Sequence, residues 1–210
     1  MTLIIADRAV ADRVISARAA SKLDRWDEVW DGDYFMAPAP NNEHSRIATR
    51  LAVSLDAVVS SKSKGEVYVG PNVSDRDENW TKNYRVPDVA VYLNGNPAED
   101  RKTHWLGGPD LAVEIVSEED RTYEKIPFYA SLGTRELLII DRNPWMLTIF
   151  QLQNGELTET GISRPKENQW IESAVVSLSW RLTGFESTPT IEVRDPTTGQ
   201  VWQIDARAIK

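Results

Sequence analysis

The chain has 210 residues, 41% hydrophobic and 27% charged, with eight Trp and no Cys, a make-up that fits one folded domain of ordinary size and excludes disordered and fibrous classes. Without Cys there is no disulfide and no thiolate zinc site, and with His44 and His104 as the only histidines any metal is expected on oxygen ligands. A formal net charge of −8 argues against an extensive nucleic-acid-binding face, since affinity for phosphate comes largely from Lys and Arg, but leaves room for a local basic surface.

Residues 1–20 carry Asp7, Arg8, Asp12, Arg13 and Arg18 where a signal peptide needs an apolar centre, and no bilayer-length apolar run follows; a cytoplasmic protein without a membrane span is expected. Residues 4–21, with Ile5, Val10, Val14 and Ile15 at roughly helical spacing, predict a helix. Residues 26–36 are aromatic and acidic and predict a short strand or hairpin. It ends at Pro38-Ala39-Pro40-Asn41-Asn42, a turn followed by a helix cap. In residues 43–60, Ile47, Leu51, Leu55, Val58 and Val59 recur at the spacing of a helix face packed on a sheet.

Residues 66–70 predict a strand and 71–84 a polar loop. Strands over 86–93 and 111–116 follow, separated by the Gly-, Pro- and Asn-rich stretch 94–109. Ser117-Glu118-Glu119-Asp120 has the form of a capping box for a helix ending at Gly133, with Pro127 either kinking it or starting a second piece. A buried strand over 136–141 comes next. A hairpin over 146–158 turns at Asn154-Gly155, and a last hairpin pairs 190–193 with 201–204. This order describes an α/β fold, a mixed sheet flanked by helices with additional β-hairpins.

Two strands each carry one carboxylate where an apolar residue is expected. Around Asp88, Val89 and Val91 share one face while Asp88 and Ala90 share the other; around Glu114, Val113 and Ile115 share one face while Ala112 and Glu114 share the other. If the strands are neighbours, the acids converge on a point that the alanines leave open. They then supply the hard oxygen ligands that Mg²⁺ or Mn²⁺ takes, as in phosphodiester hydrolysis. The lysine usual two residues beyond the second acid is Val116 here. Lys125 is the best substitute, and Arg121, Lys125 and Tyr129, four residues apart, place two cations and a phenol on one helix face.

The same residues carry a resemblance. Pro87-Asp88, the run from Asp110 to Ser117, and Lys125, Tyr129, Gly133, Glu136 and Asp141 resemble the Uma-two family of restriction endonucleases within the PD-(D/E)XK superfamily. So does the opening Asp31-Gly32-Asp33-Tyr34-Phe35-Met36-Ala37-Pro38-Ala39-Pro40 with His44 and its helix. The resemblance covers residues 26–182. It implies a restriction-endonuclease-like fold, Mg²⁺, catalytic and metal-binding acids at Asp88 and Glu114, and the lysine moved from the strand to Lys125. The chain then divides into an N-terminal helical segment (1–25), the nuclease-like domain (26–184) and a C-terminal β-hairpin extension (185–210).

Each residue has a structural alternative. Asp88 would cap a turn after Pro87, and Glu114 would form a buried ion pair with Lys125 or Arg121. Tyr129 would be core, and His44 or Glu43, in the first turn of their helix, would be surface or capping residues as readily as site residues. Asp110 also follows a proline, but three residues separate it from Glu114, too few for a second strand. Lys62, Lys64, Arg76, Lys82 and Arg85 make the stretch before Asp88 locally basic, either a DNA-backbone contact or scattered loop charge. The expected activity is metal-dependent endonucleolytic cleavage of DNA, by a homodimer if it follows the commonest symmetry. The alternatives are an inactive nuclease-fold protein that binds nucleic acid or a protein partner, and a structural protein with a buried Glu114–Lys125 pair.

Overall fold

The computed structural model describes residues 8–117, 121–185 and 188–205. In chain order they form α1 (Arg8–Ala20), β1 (Glu28–Trp30), β2 (Asp33–Phe35), α2 (Asn42–Val58), β3 (Gly65–Val69), β4 (Val73–Ser74), β5 (Tyr84–Arg85), β6 (Val89–Leu93), β7 (Glu99–Asp100), β8 (Trp105–Leu106) and β9 (Leu111–Ile115). There follow a 3₁₀ turn (Thr122–Lys125), α3 (Ile126–Ser131), β10 (Glu136–Arg142), β11 (Trp145–Gln153), β12 (Glu156–Ser163), β13 (Ile171–Glu172), β14 (Ser179–Phe185), β15 (Thr188–Arg194) and β16 (Val201–Asp205). Among the described residues, no helix is long and apolar enough to cross a membrane.

The central sheet has the order β12-β11-β10-β9-β6-β3, with β9 and β10 parallel and the other neighbours antiparallel. This is the mixed α/β architecture expected from the order of elements. The alternation read in the two acid-bearing strands sets its two faces. Val89, Val91, Val113 and Ile115 pack with Ile47, Leu51 and Leu55 of α2, while Ala112 turns to the opposite face with Phe128 and Tyr129 of α3. Asn41 caps α2 by accepting the His44 N–H at 2.9 Å, as the turn chemistry requires.

A second sheet, ordered β2-β1-β5-β4-β8-β7, is built largely from stretches that the sequence presents as loops. Its strands are two or three residues long, too short for alternation to register. The β1–β2 hairpin turns through Asp31 and Gly32, both at positive φ, the two-residue turn that matches strand twist. A third sheet, β13-β14-β15-β16, holds the expected C-terminal hairpin. Its Trp180, Leu182, Ile191, Val193 and Ile204 join the same core cluster as α2.

The start of one central strand differs from expectation. The strand predicted from 86 begins at Val89, because Pro87 has no N–H and the Val86 N–H donates to Glu28 Oε1 at 2.8 Å instead of to a ladder. Residues 118–120 of the capping box and the start of the first helix at 4–7 lie outside the described residues. Pro127 opens α3 as a separate helical piece after the 3₁₀ turn, and Gly133 follows at φ +74°, the glycine position beyond a helix end.

Candidate active site

Strands β6 and β9 are adjacent and antiparallel, with Val89 opposite Val113 and Ala90 opposite Ala112. Continued by one residue, that register sets Asp88 against Glu114. Both side chains leave the sheet beside the small Ala90 and Ala112, and both are buried. The two acids singled out in the sequence are therefore brought together at one end of the central sheet.

Each is held by specific donors. Asp88 Oδ2 accepts the Ile115 N–H at 2.7 Å, and Asp88 Oδ1 lies 2.6 Å from His44 Nε2. The placement of His44 on the first turn of α2, fixed by the Asn41 cap, aims it at this acid. Glu114 Oε1 accepts the Tyr129 hydroxyl at 2.6 Å, and Glu114 Oε2 accepts from Lys125 Nζ at 3.0 Å. Lys125 and Tyr129 thus act on one carboxylate from one side, as their spacing implies.

Arg121 and Glu43 are placed elsewhere. Arg121 precedes the 3₁₀ turn, pairs with Glu124, and sits 5.1 and 4.9 Å from the Trp30 and Phe35 rings at the rim of the cleft. Glu43 accepts from Arg142 Nη1 at 3.1 Å, and Arg142 also donates to Val116 O and Ser117 Oγ. Of the basic stretch before Asp88, Arg85 is buried between the Trp30 and Phe128 rings and donates to Val29 O, so it is a structural cation.

A third acid joins these two without being singled out by the sequence pattern. Glu28, on β1, is buried, and its Oε1 lies 2.9 Å from Lys125 Nζ while its Oε2 accepts the Trp30 Nε1–H at 2.8 Å. The signal that marks Glu114, an acid inside an apolar strand, is present at Glu28 too. It is obscured because β1 spans three residues and is flanked by Asp24, Asp27, Asp31 and Asp33. Asp27 works away from the cleft: it accepts from Arg18, Tyr34 and the Ala37 N–H and so ties the hairpin to α1.

Lys125 therefore bridges two carboxylates, with Asp88 a third in the same cleft. This excess of negative charge in a buried setting costs free energy. Burial holds the Glu114 carboxyl well above its ordinary range; Lys125 opposes that rise, while Glu28 and Asp88 add to it. Burial and the adjacent Glu114 push the Tyr129 phenol well up, so it stays a donor. The cleft of about 140 Å³ is lined at its base by Glu28, Asp88, Glu114, Lys125 and His44 and on its wall by Trp26, Trp30, Phe35, Met36 and Pro38.

Carboxylate oxygens with surplus negative charge suit a hard cation such as Mg²⁺. Among the described residues, however, no three carboxylate or imidazole groups are already disposed around a common point to hold an ion. The carboxylates of Glu28, Asp88 and Glu114 are each engaged by protein groups. The donor set fits the ion in kind, and loading it requires those internal contacts to exchange.

No curated protein matches the chain significantly. Among solved structures, it is similar to the crystal structure of a "putative nuclease" from Anabaena variabilis, with a TM-score of 0.56 and 19% identity over 70% of this chain and 80% of that one. At that identity the likeness establishes the fold, a mixed α/β nuclease fold. The Uma2 (Uma-two) family profile, described as "putative restriction endonuclease", matches residues 20–183, a span that contains Glu28, His44, Asp88, Glu114, Lys125 and Tyr129. By that match, over most of its length, the chain belongs to the Uma2 family.

Proposed function

We propose that this chain is a metal-dependent endonuclease that hydrolyses phosphodiester bonds in DNA, with Asp88 and Glu114 as the principal ligands for Mg²⁺ or Mn²⁺. The observation that carries the reading is the convergence of Asp88, Glu114 and Glu28 on one cleft with a single ammonium, Lys125, among them. When bound, a divalent cation supplies charge neutralisation at the phosphate and a water of lowered pKa. Lys125 neutralises charge developing on the phosphate and orients the attacking water. Tyr129 holds Glu114 in place, and His44 holds Asp88; Glu28 sets the position of Lys125 and adds a third carboxylate. The lysine acts from the 3₁₀ turn and not from the end of β9, which Val116 follows.

The engagement of every one of these carboxylates by internal donors favours a second reading, a nuclease fold that binds nucleic acid or a protein partner without cleaving. Calorimetric titration of Mg²⁺ and Mn²⁺ into wild type and Glu114→Ala, beside cleavage of single- and double-stranded DNA, separates the two. Binding and cleavage that both disappear in the variant support the nuclease. Absence of metal binding at millimolar concentration overturns it in favour of the second reading.

A further inference from the structure

The acids occupy only the base of the cleft; its wall is aromatic and apolar, contributed mainly by the β1–β2 hairpin and the residues just after it. Trp30 and Phe35 pack with ring centroids 4.2 Å apart. Arg85 covers Trp30 at 4.5 Å, and the Trp30 indole N–H is held by Glu28, so this ring is fixed in orientation by the same carboxylate that holds Lys125. Trp26 is seated against Gly70, where a Cβ would come within 2.4 Å of the indole. The hairpin is itself clamped by Asp27, which receives Arg18, Tyr34 and the Ala37 N–H. Phe35 and Arg85 occupy the faces of Trp30, so Trp30 backs the wall, and Phe35 and Trp26 line the cleft beside the acids as a surface for a flat group.

Charge narrows the choice of group. Binding a duplex relies on many phosphate contacts by Lys and Arg, yet the chain carries a net charge of −8. The cations among the described lining residues, Arg121 and Lys125, are both ion-paired. Stacking of bases on aromatic rings supplies affinity that does not depend on a basic face, and it requires bases released from a duplex. A cleft of about 140 Å³ is also smaller than the roughly 300–1,000 Å³ of small-molecule sites; it admits one planar group beside the reacting phosphate.

Resting on the nuclease reading of the same site, we infer that the substrate is single-stranded or unpaired DNA, with one base taken against Phe35 and Trp26 while its phosphate lies over the acids. Arg121, half-buried and held near the Trp30 and Phe35 rings, is placed to exchange its Glu124 partner for that strand's backbone.

The test is fluorescence anisotropy of the full chain in Ca²⁺ with a labelled 12-nucleotide single strand and with the same sequence as a duplex. Cleavage of both in Mn²⁺ is measured in parallel. Wild type should bind the single strand at least about tenfold more tightly and cleave it faster. Phe35→Leu should weaken single-strand binding by about fivefold or more, the lower end of the stacking range, with duplex binding and Tm unchanged. Equal or tighter binding of the duplex by wild type overturns the inference without any variant being needed, and duplex cleavage alongside it leaves the nuclease reading standing. Single-strand binding that depends on Phe35, without metal binding or cleavage, retains the inference and removes the nuclease. Failure to bind either DNA overturns the inference.

Discussion

Lys125 Nζ stands 3.0 Å from Glu114 Oε2 although the ammonium comes from a 3₁₀ turn 11 residues further along the chain and not from the strand that carries the acid. The helical piece opened by Pro127 returns across the face of the sheet that bears Ala112, and this brings Lys125 and Tyr129 onto the two oxygens of one carboxylate. The same ammonium reaches Glu28 at 2.9 Å. A buried cation shared by two buried acids is costly to remove, because each acid is then left without its counter-charge.

Lys125→Met is therefore expected to destabilise the protein by about 3–5 kcal/mol, or a fall in Tm of roughly 10 °C for a chain of this size. Thermal melts monitored by circular dichroism measure it. A loss below about 1 kcal/mol would mean that the two acids are neutral or solvated without Lys125.

Glu114→Gln should act in the opposite direction. The Glu114 carboxyl is raised by burial above its ordinary value of 4.5, so folding favours its protonated form, and the stability that form contributes is lost as pH rises through the raised value. The variant, which cannot ionise, should match wild type near pH 4 and melt higher than wild type at pH 8 in the absence of metal. The gain expected is about 1 kcal/mol or more, the scale of a one-unit pKa shift, because Lys125 keeps its Glu28 partner. Mg²⁺ should raise the Tm of wild type and not of the variant. A variant less stable at pH 8 than at pH 4, relative to wild type, would contradict the sign.

Glu28→Gln tests the acid that the sequence pattern hides. The variant keeps one acceptor oxygen, for the Val86 N–H, but turns an amide NH2 toward the Trp30 indole N–H and loses the charge facing Lys125. Cleavage in saturating Mn²⁺ should fall about 10- to 100-fold, as for other groups that orient a metal site, and Tm should fall by about 2–4 °C as the Trp30 N–H loses its acceptor. Activity within twofold of wild type would reduce Glu28 to a structural partner of Lys125.

Far from the cleft, Asp195 closes the β15–β16 turn. Burial would push its carboxyl up, but the Thr197 N–H at 2.8 Å, Lys62 Nζ at 3.2 Å and the Thr198 hydroxyl bring it down to about 2. A depressed carboxylate contributes stability that is present above its ordinary value of 3.8 and lost as pH falls through about 2. Asp195→Asn is expected to lower Tm at pH 7 by about 2–4 °C, the equivalent of one hydrogen bond. The difference should close as pH approaches 2, and a pH-independent difference would refute the assignment.

What the sequence by itself determined is the central sheet and its two acids. Just before β6 and within β9, an acid beside buried valines stands out at Asp88 and Glu114 without knowledge of the strand order. The face of α2 and the Asn154-Gly155 turn were legible for the same reason: each is a local pattern imposed by backbone geometry. Tertiary structure alone decided which other groups join the acids. Glu28 and the Trp30–Phe35 wall arrive on strands of three residues, too short to carry a period. Whether His44 or Glu43 faces the cleft depends on how α2 rotates against the sheet, which one turn of sequence does not specify. Packing of Ile47, Leu51 and Leu55 into the core sets that rotation, so His44 turns to Asp88 while Glu43 turns away to Arg142.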